Sequence, residues 1–161
     1  MERRLLADDR ALDAVDEQLL RALQADGRIT IVRLAEQLEM ASSAVYERVA
    51  RLKRDGFIVR YEAVLNPDKL GRGLLVFSAV RVSDSSTRTC AALHAAVRTC
   101  DEVIECHQVA GGFDYLIKSR ARDMHAYREF VASVLWNLPG VRDVRAYAVL
   151  DEVKHLTRIP L

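Results

Sequence analysis

Glu105-Cys106-His107 sets a thiol beside an imidazole, a pairing from which nucleophilic catalysis can be built. The surrounding residues, Val103 to Val109, read as a strand, and neighbouring side chains on a strand point to opposite faces. Cys106 and His107 therefore do not meet, and no activated nucleophile is expected. The other histidines (His94, His125, His155) and the other cysteines (Cys90, Cys100) fall at no metal-ligand spacing. The sequence has no nucleophile elbow, phosphate loop or H-E-x-x-H helix. The expectation is no catalytic residue, no metal and no cofactor.

Gly111-Gly112-Phe113-Asp114-Tyr115 suits binding better than catalysis. One reading is a tight hairpin turn whose glycines supply positive φ. A second adds a ligand: glycine backbone lets a small molecule approach, exposed N–H groups hold a carboxylate, and Asp114 takes an ammonium. Both halves of an amino-acid zwitterion would then be matched. These residues alone leave both readings open. Met124 and Tyr147, taken singly, read as packing residues, and Trp136 as a helix-to-sheet core residue.

A third set is basic. Between residues 28 and 60, Arg28, Arg33, Arg48, Arg51, Lys53, Arg54 and Arg60 stand against Glu36, Glu39, Glu47 and Asp55, in a chain whose net charge is only +1. Bulk charge thus says nothing for nucleic acid, but its placement does. Ser42, Ser43, Tyr46, Glu47, Arg48, Arg51, Lys53 and Arg54 fall on the outward face of a helix that buries Val45, Val49 and Leu52. Residues near the start of such a helix would meet base edges, and arginines further along would meet phosphates.

The elements that position these groups follow from periodicity. Leu12, Val15, Leu19, Leu20 and Leu23 form one helical stripe, with Asp13 as N-cap and Gly27 beyond its end. Thr30 caps a second helix that buries Ile31, Leu34, Ala35 and Leu38. After Glu39-Met40-Ala41, Ser42 or Ser43 caps the third, which Gly56 ends. The short break between the last two is the spacing of a helix-turn-helix. Phe57 to Leu65 reads as a connecting strand, closed by Asn66-Pro67. From Leu74 the order is a strand (Leu74 to Val82), a helix capped within Asp84 to Thr87, and strands at Val103 to Val109 and Phe113 to Ser119. A helix capped by Asp123 and a strand from Val141 to Leu150 complete it. That is the β-α-β-β-α-β order of a ferredoxin-like sandwich. One sheet face would lie bare, so face-to-face dimerisation is expected.

The fold class is therefore α+β, in four parts: a tail at 1–11, a helix-turn-helix at 12–56, a connecting strand and linker at 57–73, and the sheet domain at 74–161. The chain has 161 residues, 50% of them hydrophobic and 29% charged, ordinary for a globular protein. No apolar run approaches the ~20 residues that span a bilayer, and the N-terminus does not read as a secretory signal. Three cysteines, an odd number, read as reduced thiols. A cytoplasmic location with no membrane partner is expected.

These residues resemble the Lrp/AsnC, or feast/famine, regulators, nearest to the leucine-responsive branch. The likeness is carried by Leu12-Asp13 through Leu23, Asp26-Gly27-Arg28-Ile29, Glu47-Arg48-Val49 with Leu52, and Gly56-Phe57-Ile58 with Tyr61. It continues through Glu105-Cys106-His107, Gly111 with Phe113-Asp114-Tyr115, Asp123-Met124 with Tyr127, and Leu138-Pro139-Gly140-Val141. The resemblance implies a winged helix-turn-helix that reads pseudo-palindromic double-stranded DNA as a homodimer. It also implies a C-terminal domain for regulation of amino-acid metabolism (RAM), which assembles dimers into tetramers or octamers and binds an amino acid between subunits. Carried over by position, the effector residues are Gly111, Gly112, Phe113, Asp114 and Tyr115, with Met124, Tyr147 and Val149 beside them. Leucine or another apolar amino acid is the first expectation.

Three positions depart from the family pattern. Glu39 stands where glycine is common, so the turn is expected to avoid positive φ there. Ala41 stands where a capping serine is common, which leaves the cap to Ser42 or Ser43. Gly112 stands where many relatives carry an acid. Two other functions fit the architecture: an enzyme resembling the siroheme decarboxylases, and a DNA-architectural protein without an effector. The basic outer face at Arg48, Arg51, Lys53 and Arg54 argues against the enzyme.

Overall fold

In the computed structural model, residues 12–161 are described; the tail expected at 1–11 lies outside them. The chain divides into two units. One runs through Val64 and takes back His155–Leu161, and the other is Leu65–Lys154. The C-terminal segment thus belongs with the helices, not with the sheet as the sequence suggests.

The helical unit holds α1 (Ala14–Ala25), α2 (Ile31–Gln37) and α3 (Ser42–Arg54). Asp13 caps α1 in a reciprocal box: its carboxylate accepts the Asp16 N–H at 2.8 Å, and Asp16 accepts the Asp13 N–H at 3.3 Å. Thr30 caps α2 through the Arg33 N–H at 3.2 Å. Leu19, Leu20, Leu34, Ala35, Val45, Val49 and Leu52 form the core, where each fully buried leucine contributes about 1.5–3 kcal/mol.

The turn after α2 departs from expectation. Glu39 adopts φ +53°, Met40 N–H donates to Ala35 O at 3.0 Å, and Glu39 N–H to Glu36 O at 3.4 Å. This is a Schellman close. Two carbonyl acceptors and the packing of Met40 on the core hold a non-glycine residue in the left-handed region, at a cost of about 1–2 kcal/mol. The cap of α3 also differs. Its N-cap is Ala41, with no side-chain bond, and Ser42 and Ser43 lie inside the first turn, so neither serine caps it.

Beyond Gly56, at φ +81°, the expected strand at 57–65 is not formed. Ile58 N–H returns to Leu52 O at 3.2 Å, and no ladder is formed there among the described residues. A strand needs a neighbour, and no described segment of this unit pairs with 57–65. Val59, Val64 and Leu65 are left exposed. Gln24 and Ile159 exchange two hydrogen bonds, at 3.1 and 2.7 Å, which lays the C-terminal segment along α1.

The second unit is β1 (Leu74–Val82), α4 (Thr87–Arg98), β2 (Val103–Gln108), β3 (Tyr115–Ala121), α5 (Met124–Ser133) and β4 (Val141–Ala148). The strands lie in the order β2-β3-β1-β4, all antiparallel, as a ferredoxin-like chain requires. Val76, Val80 and Val82 of β1 and Tyr115 and Ile117 of β3 meet Leu93, Tyr127, Phe130 and Leu135. The buried Ser78 Oγ is hydrogen-bonded to the Tyr127 hydroxyl at 2.9 Å. Trp136 is not core but 47% exposed. Helix α5 stops at Ser133, and a 3-10 turn at Leu135–Asn137 rotates Leu135 and Leu138 inward in its place. None of the described helices is long and apolar enough to cross a membrane.

Candidate functional site

Two sets of residues compete for attention, one in each unit. On α3, Val45, Val49 and Leu52 turn inward, so Ser42, Ser43, Tyr46 and Glu47 stand exposed along its first turns. Tyr46, a large aromatic side chain, is 60% exposed. This face follows directly from the helical period.

The arginines of α3 are placed otherwise than expected. Arg48 Nη1 donates to Asp13 Oδ2 at 2.6 Å and to Asp16 Oδ1 at 2.9 Å, and Arg51 Nη2 donates to Asp16 Oδ2. Asp16 is 1% exposed. Two guanidiniums thus satisfy one buried carboxylate, which would otherwise carry a large desolvation penalty. The Asp16 N–H and then Arg48 lower the pKa of Asp13, while Asp13 and then Asp16 raise that of Arg48. Arg48 and Arg51 thus tie α3 to α1. Lys53 rests over the Tyr61 ring at 5.0 Å, and Arg54 lies 3.5 Å from Asp55.

Asp16 was not singled out from the sequence, yet a signal exists. It falls within the stripe of Leu12, Val15, Leu19, Leu20 and Leu23, between Val15 and Leu19. An acid on a buried stripe requires a cationic partner.

In the sheet unit, the connection between β2 and β3 is broader than a tight turn. Neither Gly111 nor Gly112 adopts positive φ, because six residues, Val109 to Asp114, share the reversal of direction. A Cβ on either glycine would meet nothing within 4 Å, so the loop there is open. Asp114 is engaged at three points: Val109 N–H donates to its carbonyl at 2.9 Å, its own N–H donates to Val80 O at 3.0 Å, and Val82 N–H donates to its Oδ2 at 2.9 Å. Arg81 Nε holds the Gly112 carbonyl at 2.8 Å.

The remaining expected effector residues do not gather at that loop. Tyr115 is 1% exposed, hydrogen-bonded through its hydroxyl to His94 Nε2 at 3.2 Å, and burial followed by Cys90 raises its pKa. Met124 lines a cavity of about 590 Å³ with Tyr127, Trp136, Val144 and Ala146. Tyr147 pairs with Phe77 across the strands and points to the opposite sheet face from Ala146. Val149 follows β4, its N–H donating to Leu75 O at 2.9 Å. Phe113 is half-buried.

Cys106 pairs with Ile117 on the helix side, while His107 binds Glu105 at 3.1 Å on the other face, so the thiol and imidazole are separated as the strand period requires. Burial raises the Cys106 pKa, and all three cysteines are free thiols. The described residues contain no cluster of three or more metal-ligating side chains.

Residues 12–53 match the AsnC-type helix-turn-helix domain, and residues 75–159 the Lrp/AsnC ligand binding domain. The chain is 43% identical over 148 residues to the leucine-responsive regulatory protein of Salmonella typhimurium, covering 92% of this chain and 90% of the relative. The same figures hold for that of Escherichia coli K12. Among solved structures, a transcriptional regulator of Neisseria meningitidis in complex with L-methionine superposes with a TM-score of 0.88 at 33% identity, over 93% of this chain and 97% of that one. LrpA of Mycobacterium tuberculosis gives 0.78 at 31% identity, over 92% and 100%. These relatives are regulators, and the decarboxylase-like reading finds no support among them.

Proposed function

The chain belongs to the Lrp/AsnC family of transcription regulators, and from that premise we propose that α3 reads duplex DNA while the loop at 109–114 responds to an amino acid. The observation that carries the first half is the outward face of α3. Ser42, Ser43, Tyr46 and Glu47 stand exposed on a helix whose other side is fixed in the core. A rigid helix with polar side chains along its first turns fits the major groove, about 12 Å wide. Lys53 and Arg54 extend that surface, and Arg48 and Arg51 set its angle through Asp16.

The second half rests on the open loop and on the methionine complex of the Neisseria relative. Gly111, Gly112 and Phe113 offer backbone to a carboxylate, and Asp114, already bound to the end of β1, offers its charge to an ammonium. An apolar amino acid, leucine or methionine first, suits the surround that Met124, Tyr147 and Val149 provide. These residues lie on different faces within one chain, so the site is completed between copies in a homodimer or a larger tetramer or octamer. An effector held there would favour one assembly and change DNA affinity by population shift. The protein acts in the cytoplasm on a pseudo-palindromic operator.

A thermal-shift screen against the twenty amino acids tests the effector half, because a ligand of the native state raises Tm. One hit, lost in Asp114→Ala, supports the site. Twenty flat curves would instead favour a DNA-architectural protein that responds to no amino acid.

A further inference from the structure

Binding to DNA requires cations aimed at phosphate, and α3 has few to spare. Arg48 and Arg51 are bound to Asp13 and Asp16, Lys53 lies on Tyr61, and Arg54 faces Asp55. Two cations of the helix-turn-helix segment without such engagement lie before and within α2. Arg28 and Arg33 are both exposed, and neither guanidinium has a hydrogen bond or ion pair among the described residues. Only their backbone N–H groups are engaged, with Asp26 at 2.9 Å and Thr30 at 3.2 Å.

These two arginines flank a cleft of about 400 Å³ between the end of α1 and the start of α2, whose walls include Ala22, Thr30 and Gln37. Asp26 also lines it, and its carboxylate is turned onto the Arg28 N–H, so two positive charges face one negative. The placement suits a strand of DNA. Helix α2 has 7 residues, about 10 Å at 1.5 Å per residue, and its far end meets α3 through the turn at Glu39. The cleft thus lies at the opposite end of α2 from the turn that leads into α3, and in a helix-turn-helix the helix before the recognition helix crosses the DNA backbone.

We propose that Arg28 and Arg33 clamp the sugar-phosphate backbone of duplex DNA beside the groove that α3 enters, supplying the phosphate contacts that Arg48 and Arg51 do not. This rests on the DNA-binding reading above and assigns the residues that give it affinity. Contacts of this kind carry no sequence information but make binding salt-dependent.

The test is the binding of the full chain to random-sequence duplex DNA across a salt series, which requires no knowledge of the operator. Each phosphate contact contributes about 0.9 to the slope of log K against log salt. The double variant R28Q/R33Q is expected to lose about 1.8 of slope per helix-turn-helix engaged, with its melting temperature unchanged because both side chains are exposed. A control, R88Q/R98Q, removes the same charge from exposed positions on α4 and is expected to keep the full slope. An R28Q/R33Q slope equal to wild type, or an equal loss in the control, would overturn the clamp while leaving the DNA-binding reading in place. A wild-type chain that binds no duplex at all would overturn both.

Discussion

The helical unit completes its candidate site within one chain, whereas the sheet unit does not. On α3 the core residues Val45, Val49 and Leu52, the arginines that reach the buried carboxylate of Asp16 on α1, and the exposed Ser42, Ser43, Tyr46 and Glu47 lie on different sides of one helix. In the sheet unit the expected effector residues are spread over a loop, a buried strand position and two opposite faces. The contrast separates two kinds of site. One is a surface that a single fold can present, and the other, on the proposed reading, consists of partial surfaces joined when copies associate.

The sharpest way to break the comparison is Asp16→Asn. If the buried carboxylate is what aligns α3, losing its charge leaves Arg51 unmatched and Arg48 with Asp13 alone, and costs about 3 kcal/mol in chemical denaturation. A loss under about 0.5 kcal/mol would mean that apolar packing alone orients α3. In the sheet unit, Asp114→Ala removes the acceptor for the Val82 N–H, with an expected stability cost of about 1–2 kcal/mol and loss of any amino-acid response. Tyr115→Phe, which loses the hydroxyl's bonds to His94 and Cys90, is expected to cost about 1 kcal/mol and to leave the response intact. If Tyr115→Phe abolished the response instead, the buried tyrosine would have to belong to the site.

Acid distinguishes the units more gently. Asp13 in the helical unit and Glu105 in the sheet unit both titrate below their usual values of 3.8 and 4.5. The Asp16 N–H and Arg48 are responsible for the first, Lys118 and His107 for the second. A carboxyl with a lowered folded pKa binds fewer protons when folded than when unfolded, so its contribution is whole above the ordinary value and is lost as pH falls through the folded one. Asp13→Asn and Glu105→Gln should each flatten the decline of the urea midpoint below about pH 4.5. Trp136, the single tryptophan, reports on the sheet unit by fluorescence, and far-UV circular dichroism follows the helices. The smallest effect is Glu39→Gly, expected to gain about 1 kcal/mol by relieving the left-handed backbone. No gain in melting temperature would mean that the glutamate side chain offsets the strain.

Much of this was legible beforehand. The helix stripes predict α1 to α3 closely, the capping roles of Asp13, Thr30 and Asp123 follow from side-chain type, and the β-α-β-β-α-β order follows from the placement of turns. What escaped is non-local. Period alone cannot show that Arg48 and Arg51 meet an acid on α1, because the pairing depends on how helices distant in sequence cross. Residues 57–65 have strand-like composition, but a strand forms only with a neighbour. The helical stripe continued past Ser133 puts Trp136 in the core, but the switch to a 3-10 turn there changes which side faces in. Gly111 and Gly112 suggested a tight turn, yet a six-residue loop has no need of positive φ.

The most direct test of the central claim, that the exposed start of α3 reads DNA sequence, is selection of duplexes from a random library by the wild-type chain and by Ser43→Ala/Glu47→Ala. The wild type should enrich a pseudo-palindromic site. The variant should bind random duplex with an unchanged salt slope but lose that preference. Equal enrichment by both proteins, or none by the wild type, would contradict the account.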